Sequence, residues 1–332
     1  MSIESSTSRL LQLGGVRVSV TVDGDGPPLL LLHGFPQHGG AWDAVVAQLP
    51  GRRSIRPDLR GAGASDAPRG GYSLTTQRAE LAALLDALEL DRVDIVAHDW
   101  SALVALALAF EAPERVRRLV TVAVPHPFIR MSPALVRTMP AMWFDFVLAA
   151  PGVGPASLRR GRQRILRMLL TDYCARARSA DELEGYLAPY RHAARARAGS
   201  ALYRQLILPT FLAIIAGRYR RRRLRVPTLV VYGADDPIVA RMGMRDASRW
   251  ADDLELCAVA GASHFVPEEQ PAELASVIRA FLGADEPQSR DSRAGASSTA
   301  GAASGSTGGS GASSSTPARA SAAPASRRTR WR

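Results

Sequence analysis

The chain has 332 residues, 46% of them hydrophobic, and a formal net charge of +11. This length and apolar content suffice for a substantial core in one or two domains. The basic residues are arginines scattered among helical segments and form no recognisable nucleic-acid motif, so we expect no nucleic-acid partner despite the charge.

The first part of the chain alternates strand and helix patterns. Val16 to Gly24 alternates apolar and polar residues, which predicts an antiparallel edge strand that ends in a glycine turn. Pro27 to Gly34 is a short continuous apolar run, as expected of a strand buried on both faces. Alternating strands and helices indicate a parallel sheet with helices on both faces. Further strands are predicted within 54–61, 93–98 and 118–124, and helices at 75–88 and 101–111.

The strand pattern stops at Pro125 and returns after Arg225. The segment between is rich in arginine and alanine with helical periodicity, and prolines and glycines divide it into several helices. Strands are predicted again at 227–233 and 254–261, followed by a helix at 271–282. A separate helical domain is the alternative. Because the same strand type returns, we predict an α/β core, 1–124 with 226–284, and an inserted helical cap over 125–225.

The C-terminal segment, 285–332, changes composition to serine, alanine, glycine and threonine. Such a composition cannot bury a core, so we predict a disordered tail. Its "RRTRWR" ending is either a solvated basic tail, which we favour, or a site for an acidic partner.

The sequence shows no targeting signal and no metal-binding motif. The N-terminus lacks a basic start followed by an apolar stretch, so no signal peptide is expected. The longest apolar run, 206–217, is too short for a bilayer and contains Pro209, so we expect a cytoplasmic protein without a membrane span. Cys174 and Cys257 match no metal spacing, and nothing indicates a metal or a cofactor.

The stretch "VAHDWSALVALAL" joins a predicted strand directly to a predicted helix at Asp99. A sharp turn of this kind normally exposes a nucleophilic serine, and the small residues Ala97 and Ser101 permit the close approach that the turn requires. The helix start should keep the Asp99 carboxylate ionised. Asp99 is therefore a candidate nucleophile, with a simple helix cap as the alternative.

The "HGFPQ" stretch, 33–37, follows the buried strand at 27–34. In hydrolases with such a turn, one oxyanion donor comes from this loop and the other from the residue after the nucleophile. This assigns the backbone N–H groups of Phe35 and Trp100. An ordinary strand-to-loop turn at Gly34 and Pro36 is the alternative.

Two late loops complete a candidate triad. Asp236 follows one predicted strand in "YGADDPIV", and His264 follows the next in "GASHFVPEEQP". His264 is the candidate base and Asp236 the acid that orients it, with Asp235 as the neighbouring candidate. The chain order nucleophile, acid, histidine is that of α/β-hydrolases.

These motifs resemble the α/β-hydrolase fold family, and most closely its soluble epoxide hydrolases, over about 16–282. The resemblance rests on "HGFPQ", "RPDLRGAGASD", "VAHDWSA", "AVPHP", "GADDP" and "GASHFVPEEQP". It implies a cofactor-free enzyme that opens a small hydrophobic epoxide to a vicinal diol. Asp99 would form an alkyl ester, and water activated by His264 would hydrolyse it.

The resemblance also implies one or two cap tyrosines that protonate the epoxide oxygen. Tyr203 in "SALYRQL" matches one of them. The other is expected within 141–153, where the chain has Trp143 and Phe144 but no tyrosine, so one donor must serve. The pocket candidates are Phe35, Trp100, Trp143 and Phe144.

Two other functions stay open. Haloalkane and haloacetate dehalogenases share the aspartate nucleophile, and the indole of Trp100 could bind halide. The Phe35 side chain, however, cannot donate a hydrogen bond, and the helix after Asp99 lacks the arginines that hold a haloacetate. The missing tyrosine also permits a catalytically weak binding protein, against which the intact triad argues. The sequence does not indicate an oligomeric state.

Overall fold

The computed structural model describes residues 7–242, 244, 247–283 and 327–331. Nine strands form one sheet: β1 (Thr7–Leu13), β2 (Val16–Asp23), β3 (Pro28–Leu32), β4 (Arg53–Pro57), β5 (Val93–His98), β6 (Val116–Val122), β7 (Thr228–Gly233), β8 (Leu254–Val259) and β9 (Arg327–Trp331). Their order in the sheet is β1-β2-β4-β3-β5-β6-β7-β8-β9.

The six central strands, from β4 to β8 in sheet order, pair in parallel as the sequence predicts. Four consecutive leucines of β3 are buried because helices cover both faces of the sheet. The antiparallel strand β2 is not an edge strand, so that prediction is wrong, because β1 pairs along its outer side. The alternation of apolar and polar residues in β2 shows which face of the strand is buried. It does not show whether another strand pairs along either edge of β2.

Within the described residues, twelve α-helices accompany the sheet. Helices α2 and α3 pack together in the core that also includes the helices inserted after β6, whereas α1 and α12 pack in a second core across the sheet. The helices are α1 (Asp43–Val46), α2 (Leu74–Ala87), α3 (Trp100–Glu111), α4 (Pro133–Thr138), α5 (Trp143–Ala149), α6 (Val153–Arg159), α7 (Arg164–Asp172), α8 (Ala180–Leu187), α9 (Ala193–Leu202), α10 (Leu208–Ile215), α11 (Val266–Glu269) and α12 (Pro271–Leu282).

Helices α4 to α10 lie between β6 and β7 and form the inserted cap. Helices α9 and α10 are joined by a π-helical turn, Tyr203–Ile207, into one continuous helix, Ala193–Ile215. By length and composition alone this helix could cross a membrane, but half of its most apolar window is buried inside the protein.

The predicted disordered tail falls mostly on 284–326, outside the described residues. Its end differs from the prediction, because Arg327–Trp331 form β9, which pairs antiparallel with β8. Without β9 the outer edge of β8 would present unpaired backbone N–H and C=O groups. Composition predicts whether a segment can bury a core of its own. It does not show whether a few residues of that segment pair with the edge of an existing sheet.

Candidate active site

Asp99 is the single residue between β5 and α3. Its φ of +57° and ψ of −136° lie outside the regions that residues other than glycine readily adopt. The backbone N–H of Asp99 donates to the carbonyl of Val122 at 2.9 Å, which ties the turn to β6. This strained turn directs the carboxylate into a cavity of about 130 Å³ beneath the cap.

Small neighbours make the turn sterically feasible. Ser101 is fully buried, and its hydroxyl lies 3.1 Å from the carbonyl oxygen of Leu32 and 2.8 Å from that of His98. Gly34 is equally restricted, because a Cβ there would lie 2.7 Å from the Cβ of Asp99. Strands β3 and β5 and the start of α3 therefore meet at residues that have little or no side chain.

Two backbone donors contact the Asp99 carboxylate. The N–H of Phe35 donates to Oδ2 at 2.9 Å, and the N–H of Trp100 lies close enough to stabilise the ionised carboxylate. Burial raises the pKa of Asp99 above its ordinary value, against the positive charge of His264 and these two N–H groups. The helix start, through the N–H of Trp100, is therefore one of several groups that act on the ionisation of Asp99.

His264 stands between the two acids of the proposed triad. Its Nδ1 lies 3.1 Å from Oδ2 of Asp236, and its Nε2 lies 3.8 Å from Oδ1 of Asp99. The other oxygen of Asp236 accepts the N–H groups of Ile238 and Val239, both at 2.8 Å. Asp236 is buried, whereas Asp235 is exposed, so the structure brings Asp236 and not Asp235 to the histidine.

The charges around His264 favour its protonated form. Burial alone would lower the pKa of His264, but the hydrogen bond and charge of Asp236, together with the charge of Asp99, raise it to about 9. At neutral pH the imidazolium of His264 therefore faces the Asp99 carboxylate.

Tyr203, in the π-helical turn, lines the same cavity as Asp99 and His264. Its side chain is 5% exposed, and its ring packs edge-on against Phe35 and Phe144. Within the described part of the chain its hydroxyl has no hydrogen-bond partner, so the proton is free to be donated into the cavity. Burial and the charge of Asp99 hold the pKa of Tyr203 well above 10, so the hydroxyl stays protonated.

Three of the four predicted pocket residues, Phe35, Trp100 and Phe144, line the cavity. Trp143 does not, and that prediction is wrong: it is 45% exposed and absent from the cavity wall. In α5 both Phe144 and Asp145 face the cavity, and Trp143 lies about 200° around the helix from Asp145, on the outward side.

Asp145 is a cavity residue that the sequence reasoning missed. It follows Phe144 and is 5% exposed. The sequence gives only a partial signal, because Asp145 is the one acid in the otherwise apolar helix "WFDFVLA" but its direction is not specified.

A buried ion pair, also missed, links the cap to the core beside the site. Glu268, four residues after His264, accepts two hydrogen bonds from Arg178 of the cap, at 3.1 and 2.9 Å. It also accepts from the hydroxyl of Tyr186 and from the side-chain amide of Gln37, both at 2.6 Å. We call these four side chains, Arg178, Tyr186, Glu268 and Gln37, the cap bridge.

The cap bridge continues to the triad through His98. The Nδ1 atom of His98 lies 2.8 Å from Oε1 of Gln37, and its Nε2 lies 2.8 Å from the carbonyl oxygen of His264. Burial lowers the pKa of His98 to about 3. The ring of His98 thus joins the loop that carries Gln37 to the loop that carries His264.

Comparison with known proteins agrees with this architecture. The family described as alpha/beta hydrolase fold matches residues 27–271, and the chain belongs to that family. It is 25% identical over 294 residues to "Epoxide hydrolase 2" of Caenorhabditis elegans, covering 83% of this chain and 80% of that protein. It is also 28% identical over 299 residues to a 2-hydroxy-6-oxo-2,4-heptadienoate hydrolase of Pseudomonas putida, covering 86% and 99%.

Among solved structures, epoxide hydrolase A from Mycobacterium thermoresistibile superposes with a TM-score of 0.71 at 25% identity, over 84% of this chain and 99% of that one. The resemblance to α/β-hydrolases and to epoxide hydrolases is therefore confirmed, at low identity. The relatives bear names for more than one substrate, so family membership leaves the substrate to be argued from the site.

Proposed function

We propose that this protein is an epoxide hydrolase that converts a small apolar epoxide to a vicinal diol. One observation carries the proposal: the Asp99 carboxylate and the Tyr203 hydroxyl, a nucleophile and a proton donor, open into the same cavity. The walls of the cavity are mostly aliphatic and aromatic side chains, which suit an apolar substrate.

The first step forms an ester. An oxygen of Asp99 attacks a ring carbon, the carbon–oxygen bond of the epoxide breaks, and the oxygen takes the proton of Tyr203. The ester carries no charge, so His264 loses one of the two negative charges that hold its proton. Its pKa then falls, and its proton passes to the tyrosinate.

The second step cleaves the ester. Neutral His264 takes a proton from water, and the hydroxide attacks the carbonyl carbon of Asp99. The N–H groups of Phe35 and Trp100 then face the oxyanion. Collapse of this intermediate releases the diol oxygen with the remaining acid proton, which restores ionised Asp99 and protonated His264.

The aspartate also weighs against other reactions. Its attack on an ester or another acyl carbon would give a reactive anhydride, so we do not favour an acyl substrate. A dehalogenase remains the runner-up, and the absence of a side-chain donor at Phe35 weighs against it. A binding protein would have no need of His264 and Asp236 behind the carboxylate.

A panel of aryl and alkyl epoxides, assayed for diol beside the matching halides assayed for halide ion, tests the proposal. A single turnover in ¹⁸O-water should place an unlabelled, enzyme-derived oxygen in the first diol. Halide release without diol would support the dehalogenase, and tight retention of ligands without turnover would support a binding protein. Solvent label in the first diol would refute attack by Asp99.

A further inference from the structure

Asp145 is a buried acid that has no role in the two steps of the proposed ester mechanism. Its side chain lines the same cavity as Asp99 and Tyr203, and it is 5% exposed. None of the described residues donates a hydrogen bond to its carboxyl group. A carboxylate buried without donors costs several kcal/mol, so a purely structural role at this position is unfavourable.

The groups that face Asp145 favour its protonated form below neutral pH. Burial raises the pKa of Asp145 to about 7, the negative charge of Asp99 raises it as well, and the positive charge of His264 opposes them. The other titratable groups on the cavity wall are the hydroxyls of Tyr173 and Tyr203, which stay neutral. A protonated carboxyl has an O–H to donate.

Its position coincides with a gap in the expected machinery. The cap segment that should supply a second tyrosine has Phe144 on the cavity wall, which has no proton to give. The other tyrosine on the wall, Tyr173, already donates its hydroxyl to the carbonyl of Ala141 at 2.6 Å. Asp145 is thus the acid left beside Tyr203 with an uncommitted proton.

We propose that un-ionised Asp145 donates a second hydrogen bond to the epoxide oxygen, alongside Tyr203, and so stabilises the negative charge that develops on this oxygen as the ring opens. This inference rests on the proposed function. When Asp99 attacks, the ring carbon–oxygen bond breaks and the oxygen takes the proton of Tyr203, while Asp145 keeps its proton and holds the oxygen by its hydrogen bond. One negative charge leaves Asp99 as the ester forms, and one arises at Tyr203, so the charge of the cavity is unchanged. The proton of His264 then restores Tyr203.

Ester formation can be measured alone in a His264→Gln variant, in which the ester should persist. Styrene oxide is the probe, and intact mass with peptide mapping gives the rate and the site of the adduct. In that background we compare Asp145→Leu, which has no proton, with Asp145→Asn, which keeps an N–H donor and does not titrate. Asp181→Asn, at an exposed cap position, is the matched control.

At pH 6 we expect Asp145→Leu to slow ester formation by roughly 10- to 100-fold, less than full loss of a general acid because Tyr203 remains. Asp145→Asn should form the ester at a rate within about threefold of the parent rate, because its amide N–H still donates a hydrogen bond. Above neutral pH the parent rate should fall as Asp145 ionises, and Asp145→Asn should abolish that fall. Since His264 is absent in this background, it cannot cause the pH dependence.

Three results would overturn the inference while leaving the proposed function intact: an unchanged rate in Asp145→Leu, a decline above neutral pH that persists in Asp145→Asn, or an adduct mapped to Asp145. No adduct on Asp99 in the His264→Gln parent would refute the proposed function, and the inference with it.

Discussion

Replacement of Asp236 by asparagine should move the ring proton of neutral His264 from Nδ1 to Nε2 while preserving the shape of the loop. The N–H groups of Ile238 and Val239 both donate to Oδ1 of Asp236, so an oxygen must stay at that position. The new amide nitrogen then points at Nδ1 of His264. Nδ1 has to accept a hydrogen bond, which leaves the ring proton on Nε2, the atom that must take a proton from water.

Two effects of this change add together. The rise in the pKa of His264 from 6.5 to about 9 corresponds to about 3 kcal/mol in favour of the charged ring, and Asp236 is its largest source. Without Asp236, burial makes the ring neutral. A histidine fixed in the wrong tautomer costs on the order of 10⁴ in the rate of serine hydrolases. We therefore expect Asp236→Asn to slow ester hydrolysis by about 10³- to 10⁴-fold and ester formation far less.

Rapid-quench single turnovers on styrene oxide, with mass analysis of the Asp99 peptide, separate the two steps. The ester should accumulate in Asp236→Asn, and ¹⁵N NMR of His264 should show a neutral ring with its proton on Nε2. The exposed neighbour provides the control, because Asp235→Asn should hydrolyse the ester at the parent rate. Equal hydrolysis rates in parent and Asp236→Asn would refute this account of the triad.

Three further substitutions test other parts of the site. Tyr203→Phe should lower kcat/KM on epoxides by about 10²-fold or more without changing Tm, because it removes only a proton donor that has no partner. Gly34→Ala should abolish turnover, since the added Cβ would lie 2.7 Å from the Cβ of Asp99. Arg178→Ala should lower the free energy of unfolding by about 3 kcal/mol in urea titrations, because it leaves Glu268 buried without its cation.

Each of these variants has a matched control. Tyr190 also packs on Phe35 but does not line the cavity, so Tyr190→Phe should leave kcat/KM unchanged. Gly70→Ala meets open space and should be fully active. Arg191 pairs with Glu184 on the surface, and Arg191→Ala should not shift the urea midpoint. A control that behaves like its test variant would contradict the corresponding reasoning.

The sequence predicted the parts of the fold that depend on local pattern. The buried run of β3 and the direct junction of β5 with α3 at Asp99 are continuous in the chain, and a regular sheet then brings the loops that carry Asp236 and His264 to the same edge. Asp145 could not be assigned in this way, because a lone acid in an apolar helix does not reveal which way it points.

The cap bridge lay beyond prediction for a different reason. Arg178 and Glu268 are 90 residues apart in the chain, and each resembles any other surface charge in the sequence. Their pairing depends on how the cap docks, which no local pattern specifies. The edge strand β9 was missed on similar grounds, because its residues pair with residues of β8 that lie 69 to 77 positions earlier in the chain.

The cap bridge also has a consequence for recombination between relatives. A cap transplanted from a homologue without a cation at the position of Arg178 would leave the carboxylate of Glu268 buried beside the loop of His264. Fusion boundaries placed at β6 and β7 would thus give misfolded or inactive chimeras, even with perfect backbone alignment. The cap bridge is one structural unit whose residues lie on both sides of such a boundary. Shuffling experiments should therefore transfer all four residues together: Arg178, Tyr186, Gln37 and Glu268.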